Sequence, residues 1–390
     1  MGRLGVEFAQ AEEPQHIIEP DSDFDPIPVE TVDGWKKIPV RECGEKLVPV
    51  GPFSEFSECD TSAVYFGERG SGETINFLGQ PVDRSVSLIT HFVREGVLQK
   101  MQAAQSLLPD GYYFKFYDNY RPLEVQQALF DTQREKFHKL HPEWDDNRLD
   151  EETQTYVSLP SPSTERGTVH PSPHSTGGVV DLTITRLTDE GRQALVDLNR
   201  RKTNGELGYP VSGDEKAEFE EVLAWIHSEA SKHNWTQEYY QIVLSNWLSE
   251  YRYSRAKARI FHTQSQELDM GTGFDHFGPE AGTRYFEELF SKGQLTEDQQ
   301  QVLQNRRFLY TVMKNSGFSN YPEEWWHWSF GDNMDAANTH REFAIYGGAT
   351  MSEENKTIEW ARRGVYDDAT ERAGGKELFG QTQEIDPRII

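Results

Sequence analysis

Three short strand-like runs, separated by longer helical patterns, set the strongest limit on how this chain can fold. Residues 112–117 are aromatic and alternate, residues 178–184 are rich in Val, Leu and Ile, and residues 325–330 form a dense aromatic run. Such residues favour β-strands. Between them, apolar side chains recur at helical spacing. The principal predicted helices cover about 85–108, 122–140 and 297–315. We therefore predict an α+β fold in which helices flank a small central antiparallel sheet.

The 390 residues divide by composition into one main domain with additions. After the second strand-like run the pattern becomes helical, with helices predicted over about 191–202, 215–232 and 236–258, which indicates an inserted helical subdomain. The first part of the chain is rich in Glu, Asp and Pro and lacks periodicity. The predicted parts are an extended N-terminal arm at 1–44, a main domain at 45–187 and 266–346, a helical insertion at 188–265 and a C-terminal tail at 347–390.

The composition argues against several classes of partner. With 39 basic and 65 acidic residues the net charge is −26, and such a field repels the phosphate backbone of nucleic acids. The chain has no run of about 18 apolar residues that would span a membrane. Its first residues lack the basic and apolar regions of a signal peptide, which predicts a cytoplasmic location. Cys43 and Cys59 are the only cysteines, too few for a Cys-rich metal site, and no feature indicates an oligomeric state.

The segment 172–181 offers two candidate metal ligands, His174 and Asp181. It reads Ser-Pro-His-Ser-Thr-Gly-Gly-Val-Val-Asp and leads into the second strand-like run. The pair Gly177-Gly178 allows a tight loop to turn back into the strand, so that a loop histidine and a strand aspartate can meet at one point. Imidazole and carboxylate groups are ligands of catalytic zinc, which keeps three protein ligands and one open position.

A second cluster, Glu324-Trp325-Trp326-His327, offers a third ligand and a general base. His327 would complete the ligand set, while the Glu324 carboxylate could take a proton from water. Each residue also has an alternative interpretation without a metal. His174 could be an ordinary loop residue, Asp181 a hydrogen-bond acceptor at a strand end, and His327 a buried structural histidine. The order and context of the two clusters favour a single zinc site, with one ion per chain.

Four blocks of the sequence, taken in order, carry a family resemblance. They are the Ser172, His174, Gly177 and Asp181 pattern, the Tyr-Asp-Asn-Tyr-Arg-Pro block at 117–122, the Met-Gly-Thr-Gly-Phe-Asp block at 270–275, and the run from Asn305-Arg306-Arg307 to Glu324-Trp325-Trp326-His327. Together they resemble the D-alanyl-D-alanine dipeptidases of the VanX type, a family of zinc peptidases. The resemblance covers roughly residues 45–186 and 266–332, and the arm, the insertion and the tail have no counterpart in it.

The resemblance implies a function and a role for each matching residue. It implies hydrolysis of D-Ala-D-Ala or a closely related dipeptide by a metal-activated water. The zinc ligands would be His174, Asp181 and His327, the general base Glu324, and the oxyanion stabiliser Arg121. The substrate-binding residues would be Asp275 and Asp118 at the free ammonium group, together with Ser172 and Tyr65. From the residues alone, Arg121 lies at a predicted strand-to-helix junction, where a guanidinium presents a fixed fork of donors.

Two alternatives to a D-Ala-D-Ala dipeptidase remain open at this point. One is another zinc peptidase of the same fold, namely a D,D-carboxypeptidase or a dipeptidase of other stereochemistry that acts on cell-wall peptides. The other is a non-catalytic, zinc-containing peptide-binding protein. The presence of Glu324 and Arg121 favours an enzyme, because a structural zinc site needs no base beside an open position.

Overall fold

The computed structural model describes residues 17–66, 87–157, 159, 171–208, 226–228, 230–276, 278–356 and 358–359. These residues form a mixed α+β structure, as predicted from the sequence. The strands are β1 (Leu47–Val50), β2 (Cys59–Thr61), β3 (His91–Arg94), β4 (Tyr112–Asp118), β5 (Val179–Leu187), β6 (Ser265–Glu267), β7 (Ser319–Asn320) and β8 (His327–Ser329). The helices are α1 (Glu95–Leu107), α2 (Leu123–Leu140), α3 (Asp146–Thr153), α4 (Asp189–Thr203), α5 (Gln237–Gln264), α6 (Tyr285–Ser291), α7 (Glu297–Asn315) and α8 (Asn333–Asn338).

A six-stranded sheet forms the centre of the structure. Its strand order is β2-β4-β5-β8-β7, with β6 paired to the far end of β5. All neighbouring pairs are antiparallel except β2 and β4, which run parallel, so the predicted antiparallel sheet carries one parallel edge pair. A separate antiparallel pair joins β1 to β3.

The main core lies where α1 and α7 pack against the central sheet. Apolar side chains from both helices and from β4, β5 and β8 belong to one buried cluster, and Met101, Phe114, Val180, Phe308 and Trp328 are all fully buried in it. Burying each large apolar side chain contributes about 1.5–3 kcal/mol relative to leaving it exposed. This cluster therefore fixes the positions of the three strands that carry the candidate site.

The predicted boundaries were wrong in two places. The helix predicted over about 85–108 begins only at Glu95, because residues 91–94 form β3 and pair with β1; residues 85–86 lie outside the described residues. The strand predicted over 325–330 is shorter, since Trp325 and Trp326 lie in a turn and β8 begins at His327. In both segments tertiary packing, not local preference, decides the backbone conformation.

The helical insertion is partly described. Helices α4 and α5 cover the patterns predicted at about 191–202 and 236–258, and they pack against each other. The helix predicted over about 215–232 lies mostly outside the described residues. The division of the chain into four parts stays a prediction. No helix among the described residues is long and apolar enough to cross a membrane.

The described parts of the arm and the tail pack against the main domain. Ile27 is buried, and its backbone amide donates to Glu287 Oε1 at 2.9 Å. In the tail, the Glu359 carboxylate accepts hydrogen bonds from the backbone amides of Ile89 and Thr90, each at 2.9 Å. The described parts of the arm and of the tail therefore make specific buried contacts with the rest of the structure.

Candidate metal centre and active site

Three neighbouring strands place acidic and imidazole side chains in one row across the sheet. Asp118 at the end of β4 is opposite Asp181 in β5, and Asp181 is opposite His327 in β8. A register shift between Phe116 and Asp118 brings Asp118 into this row. Residues directly opposite each other in antiparallel strands point to the same face, which explains why the three side chains meet.

His174 reaches the same point from a loop. It lies in the 3-10 turn Pro173–Thr176, which ends at Gly177 with a left-handed backbone (φ 71°). A Cβ on Gly178 would lie 2.7 Å from the carbonyl oxygen of Phe330, so a side chain there would collide with backbone. The glycine pair thus permits the close approach that the sequence predicted, and Asp181 follows three residues later in β5.

The structure brings His174, Asp181 and His327 together as one buried cluster. One potential ligand atom from each lies within 4.8 Å of the others. His174 Nε2 is 3.3 Å from Asp181 Oδ2, and His327 Nδ1 is 3.3 Å from Asp181 Oδ1. The two imidazole rings are nearly perpendicular, with centroids 5.0 Å apart. Two nitrogens and one carboxylate oxygen therefore converge on one point.

The electrostatics of this cluster fit a bound cation. Burial lowers the pKa of His174 and of His327, so both imidazoles are neutral near pH 7. Burial and then the neighbouring Asp118 raise the pKa of Asp181, whose Oδ1 has no hydrogen-bond partner within the described structure. Lone pairs that face one another in a buried site need a positive charge between them. Two imidazoles and one carboxylate are one of the donor sets that catalytic zinc sites use.

The outer nitrogen of each imidazole has its own partner, which fixes the ring orientation. His174 Nδ1 is 2.9 Å from the carbonyl oxygen of Asn119 and so carries the proton, leaving Nε2 free as a ligand. His327 Nε2 faces Ser329 Oγ at 3.5 Å, and that hydroxyl donates to Asp332 at 3.0 Å. Such outer contacts orient metal-ligating histidines.

Glu324 lies beside the cluster, in the turn before β8. Its Oε2 is 3.5 Å from His327 Nδ1. Asn320 Nδ2 donates to the carbonyl oxygens of both Glu324 and His327, each at 3.1 Å, so one side chain holds the base and the ligand together. Burial raises the pKa of Glu324 to about 7, while His327 opposes the shift.

Arg121 is held by three side chains, and one of them, Asp118, also contacts His174. The Arg121 Nε donates to Asp118 Oδ2 at 2.8 Å, its Nη1 to Gln126 Oε1 at 2.9 Å, and its Nη2 to the Tyr65 hydroxyl at 3.0 Å. Burial lowers the pKa of Arg121, but Asp118, Tyr65 and Asp181 together outweigh burial and raise the pKa above its ordinary value. The guanidinium is therefore a fixed, permanent cation beside the metal cluster.

The remaining predicted substrate-binding residues differ in how close they lie to this centre. Asp275 has a left-handed backbone (φ 60°), and its Oδ2 is buried without a partner in the described part of the chain. Burial raises the pKa of Asp275 to about 6, which Arg121 opposes. Tyr65 lies against the Arg121 guanidinium, 4.7 Å from ring centroid to Cζ. Ser172 is buried, and its carbonyl oxygen accepts from the Ser175 amide at 2.9 Å.

Sequence reasoning missed the residues that support the predicted ones. Gln126 follows Arg121 in the first turn of α2, Asn119 and Ser329 contact the two histidines, and Asn320 holds the Glu324 turn. All four are common polar types, and the contacts of Asn119 and Asn320 involve backbone carbonyl oxygens, which every residue type has. The only signal for Ser329 was its place two residues after a candidate ligand.

Two comparisons with known proteins find similarity to D-alanyl-D-alanine dipeptidases. Residues 220–346 match the family model Peptidase_M15, described as D-ala-D-ala dipeptidase. A D-alanyl-D-alanine dipeptidase of Synechocystis sp. is 23% identical over 328 residues, which cover 80% of this chain and 94% of that protein. The family match includes Glu324 and His327 and begins inside the predicted insertion, downstream of Arg121 and His174.

The mixed fold and these matches define the class of protein: it is a peptidase. More specifically, residues 220–346 match the D-ala-D-ala dipeptidase family model, in line with the resemblance that the ordered sequence blocks indicated. That family depends on a metal ion, and the buried His174, Asp181 and His327 cluster could bind one.

Proposed function

We propose that this protein hydrolyses D-Ala-D-Ala, or a closely related dipeptide, with one zinc ion bound by His174, Asp181 and His327. The observation that carries the proposal is the convergence of these three buried side chains, with Glu324 next to His327 and with Arg121 paired to Asp118. The similarity to a D-alanyl-D-alanine dipeptidase supports the substrate class. Zinc bound there would supply a Lewis acid that makes water a nucleophile at neutral pH.

Glu324 is proposed to move the proton. Its carboxylate lies next to His327 of the ligand set, where it can accept a proton from the attacking water and pass it to the leaving amine. Asn320 fixes the turn that carries the carboxylate, so its position is set before substrate binds.

Arg121 is proposed to stabilise the negative charge that develops on the scissile carbonyl oxygen. Its three partners hold the guanidinium plane in one orientation, and fixed donors in a water-poor site stabilise an oxyanion more strongly than water does. This role needs the fork of donors that arginine, unlike lysine, presents.

The free ammonium group of the dipeptide is proposed to bind the carboxylates of Asp275 and Asp118, next to Tyr65 and Ser172. The buried, unpartnered Oδ2 of Asp275 is suited to a cation that arrives with the substrate. A substrate without a free amine would leave this oxygen unpaired, which would select dipeptides over longer or N-acylated peptides.

The test is hydrolysis by the purified protein of D-Ala-D-Ala, N-acetyl-D-Ala-D-Ala and L-Ala-L-Ala, with zinc quantified in the same sample. We expect cleavage of the free D,D-dipeptide, about one zinc per chain, loss of activity with a chelator, and recovery when zinc is returned.

Other results of this assay would favour one of the alternative functions. Faster cleavage of the N-acetylated peptide would favour a D,D-carboxypeptidase, and preference for L-Ala-L-Ala would favour a dipeptidase of other stereochemistry. Bound zinc without cleavage of any peptide would contradict the enzyme and favour a peptide-binding protein.

A further inference from the structure

A buried arginine next to the site, Arg306 of α7, has no role in the proposed chemistry. It is 1% exposed, and its guanidinium donates to three backbone carbonyls: Nε to Met270 at 2.8 Å, Nη1 to Gly282 at 2.5 Å and Nη2 to Glu280 at 2.6 Å. Burial lowers the pKa of Arg306 to about 9. It is unusual for a buried cation to donate only to backbone carbonyls and not to a carboxylate, because charged groups are normally buried with a partner of opposite charge.

The three carbonyls lie on either side of Asp275. The segment after β6, described at residues 269–276 and 278–282, is called the Asp275 loop, and its end contacts the Glu324 turn. Arg306 holds the loop near both ends, and the neighbouring Asn305 Nδ2 donates to the Asp269 carbonyl at 2.8 Å. The middle of the loop carries Asp275 in a left-handed conformation that a non-glycine residue keeps only when its surroundings enforce it.

The loop is also tied to the Glu324 turn. Trp325 Nε1 donates to Thr272 Oγ1 at 2.8 Å, and the Trp325 amide donates to the Ala281 carbonyl at 3.0 Å. Within the loop, Phe274 stacks on Tyr117 with ring centroids 4.7 Å apart. These contacts and the Arg306 guanidinium hold Asp275 at a fixed distance from the strands that carry the metal cluster.

The adjacent arginine provides an internal comparison. Arg307 pairs with the Glu287 carboxylate through Nε and Nη2, both at 2.7 Å, and Glu287 also accepts from the Ile27 amide. Arg307 therefore ties α7 to α6 and to the N-terminal arm, away from the Asp275 loop. Two neighbouring buried arginines of the same helix thus serve different parts of the molecule.

We infer that Arg306 is a positioning residue for substrate selectivity: its three carbonyl contacts hold the Asp275 loop so that Asp275 can bind the free amino group of the substrate. The inference rests on the proposed function, since it assigns Arg306 to the same amine subsite. Lysine cannot replace the guanidinium, because one ammonium group cannot span carbonyls that approach from three directions.

The experiment compares Arg306→Lys with the matched control Arg307→Lys, and adds Thr272→Val, which removes only the Trp325 side-chain bond to the loop. Each protein is assayed on D-Ala-D-Ala, its zinc content is measured, and hydrogen–deuterium exchange is followed in the peptide spanning 269–282. We expect Arg306→Lys to raise KM about 10- to 100-fold, the scale of a small misplacement of a binding group. kcat should stay within about threefold, since the metal site and Glu324 are untouched.

The same substitution should speed exchange in the Asp275 loop, while Arg307→Lys should change neither KM nor exchange there. Thr272→Val should raise KM and loop exchange by a smaller factor, and it keeps the test available if Arg306→Lys does not fold. The inference would be overturned if Arg306→Lys kept the wild-type KM and the wild-type exchange in the loop. If Arg306→Lys does not fold, the same two results in Thr272→Val would overturn it. If the wild-type protein cleaves no dipeptide, the proposed function fails on that result alone, and the exchange comparison still decides whether Arg306 holds the loop.

Discussion

Glu324 combines three properties in one side chain: it is half-buried, it borders the metal cluster, and its position is fixed through Asn320. We expect Glu324→Gln to lower kcat for the dipeptide by roughly 10²–10⁴-fold, the range for loss of a general acid or base. Zinc content should not change, because Glu324 is not among the proposed ligands. Steady-state kinetics and metal analysis on one preparation measure both quantities.

The matched control for this prediction is Glu323→Gln, one residue earlier. Glu323 is exposed and accepts from the Tyr321 hydroxyl, so we expect its loss to leave turnover near the wild-type value. Wild-type turnover in a zinc-loaded Glu324→Gln protein would remove Glu324 from the proposed chemistry.

A second prediction for a single residue concerns Arg121. Arg121→Lys keeps the charge but cannot reach Asp118, Gln126 and Tyr65 together. We expect kcat to fall by about 10²–10³-fold, as for loss of one oxyanion-stabilising donor, with zinc retained. Single-turnover kinetics would isolate the chemical step; an unchanged rate in that step would assign Arg121 a structural role only.

Individual candidate residues could be found from the sequence because their types are rare and their order is informative. His174, Asp181, Glu324 and His327 were all proposed from two short segments, and the structure brings them together. Their supporting partners could not be found in this way. Asn119, for example, contributes a backbone carbonyl to His174, and every residue type has one.

At the scale of elements, the short loop between His174 and β5 determines how closely the ligands approach. A methyl group at Gly178 would lie 2.7 Å from the backbone oxygen of Phe330, which cannot move without disturbing β8. We expect Gly178→Ala to lower the free energy of unfolding by about 1–3 kcal/mol, the cost of overpacking. Urea denaturation of the zinc-free proteins measures this directly.

Gly273→Ala is the control for that substitution, because a Cβ at Gly273 would meet no heavy atom within 4 Å. Its effect should stay within about 0.5 kcal/mol. Equal denaturation midpoints for the two variants would show that the loop can relax around a side chain at Gly178.

Long periodic elements were predictable and short ones were not. Helix α7 was predicted over about 297–315 and has those limits, since its apolar face repeats over five turns. The four residues of β3 were assigned to a helix instead, because Phe92 and Val93 also fit the helical repeat of α1. Pairing with β1, a contact that crosses the chain, decides their conformation. The parallel pairing of β2 with β4 likewise could not be predicted, because no local sequence pattern indicates it.

For the whole molecule, the C-terminal segment helps to hold the site region together. The Glu359 carboxylate binds two backbone amides at the start of β3, and the Ala349 amide donates to the Ser175 carbonyl at 2.7 Å, next to His174. We expect Glu359→Ala to lower the free energy of unfolding by about 2–3 kcal/mol, because it leaves the two amides without a charged acceptor. Thermal and urea denaturation would measure the change.

Glu353→Ala tests the same segment without touching its buried contacts. Glu353 is exposed and pairs with Lys356 one turn later, so its replacement should change stability by no more than about 0.5 kcal/mol. If Glu359→Ala were equally harmless, the tail would be an accessory that the main domain does not need.

The row of Asp118, Asp181 and His327 across three neighbouring strands also has a consequence for the order of events during synthesis. Helices α2 and α3 separate β4 from β5 along the chain, and α4, α5, α6 and α7 separate β5 from β8, so the last ligand reaches the sheet only after nearly all of the main domain has been made. Pairings between distant segments form late in folding. A nascent chain that ends before β8 would present one imidazole and one carboxylate, too few to retain zinc. Metal capture would then mark the completion of the domain, and a prematurely terminated product would stay inactive however well its earlier helices had formed.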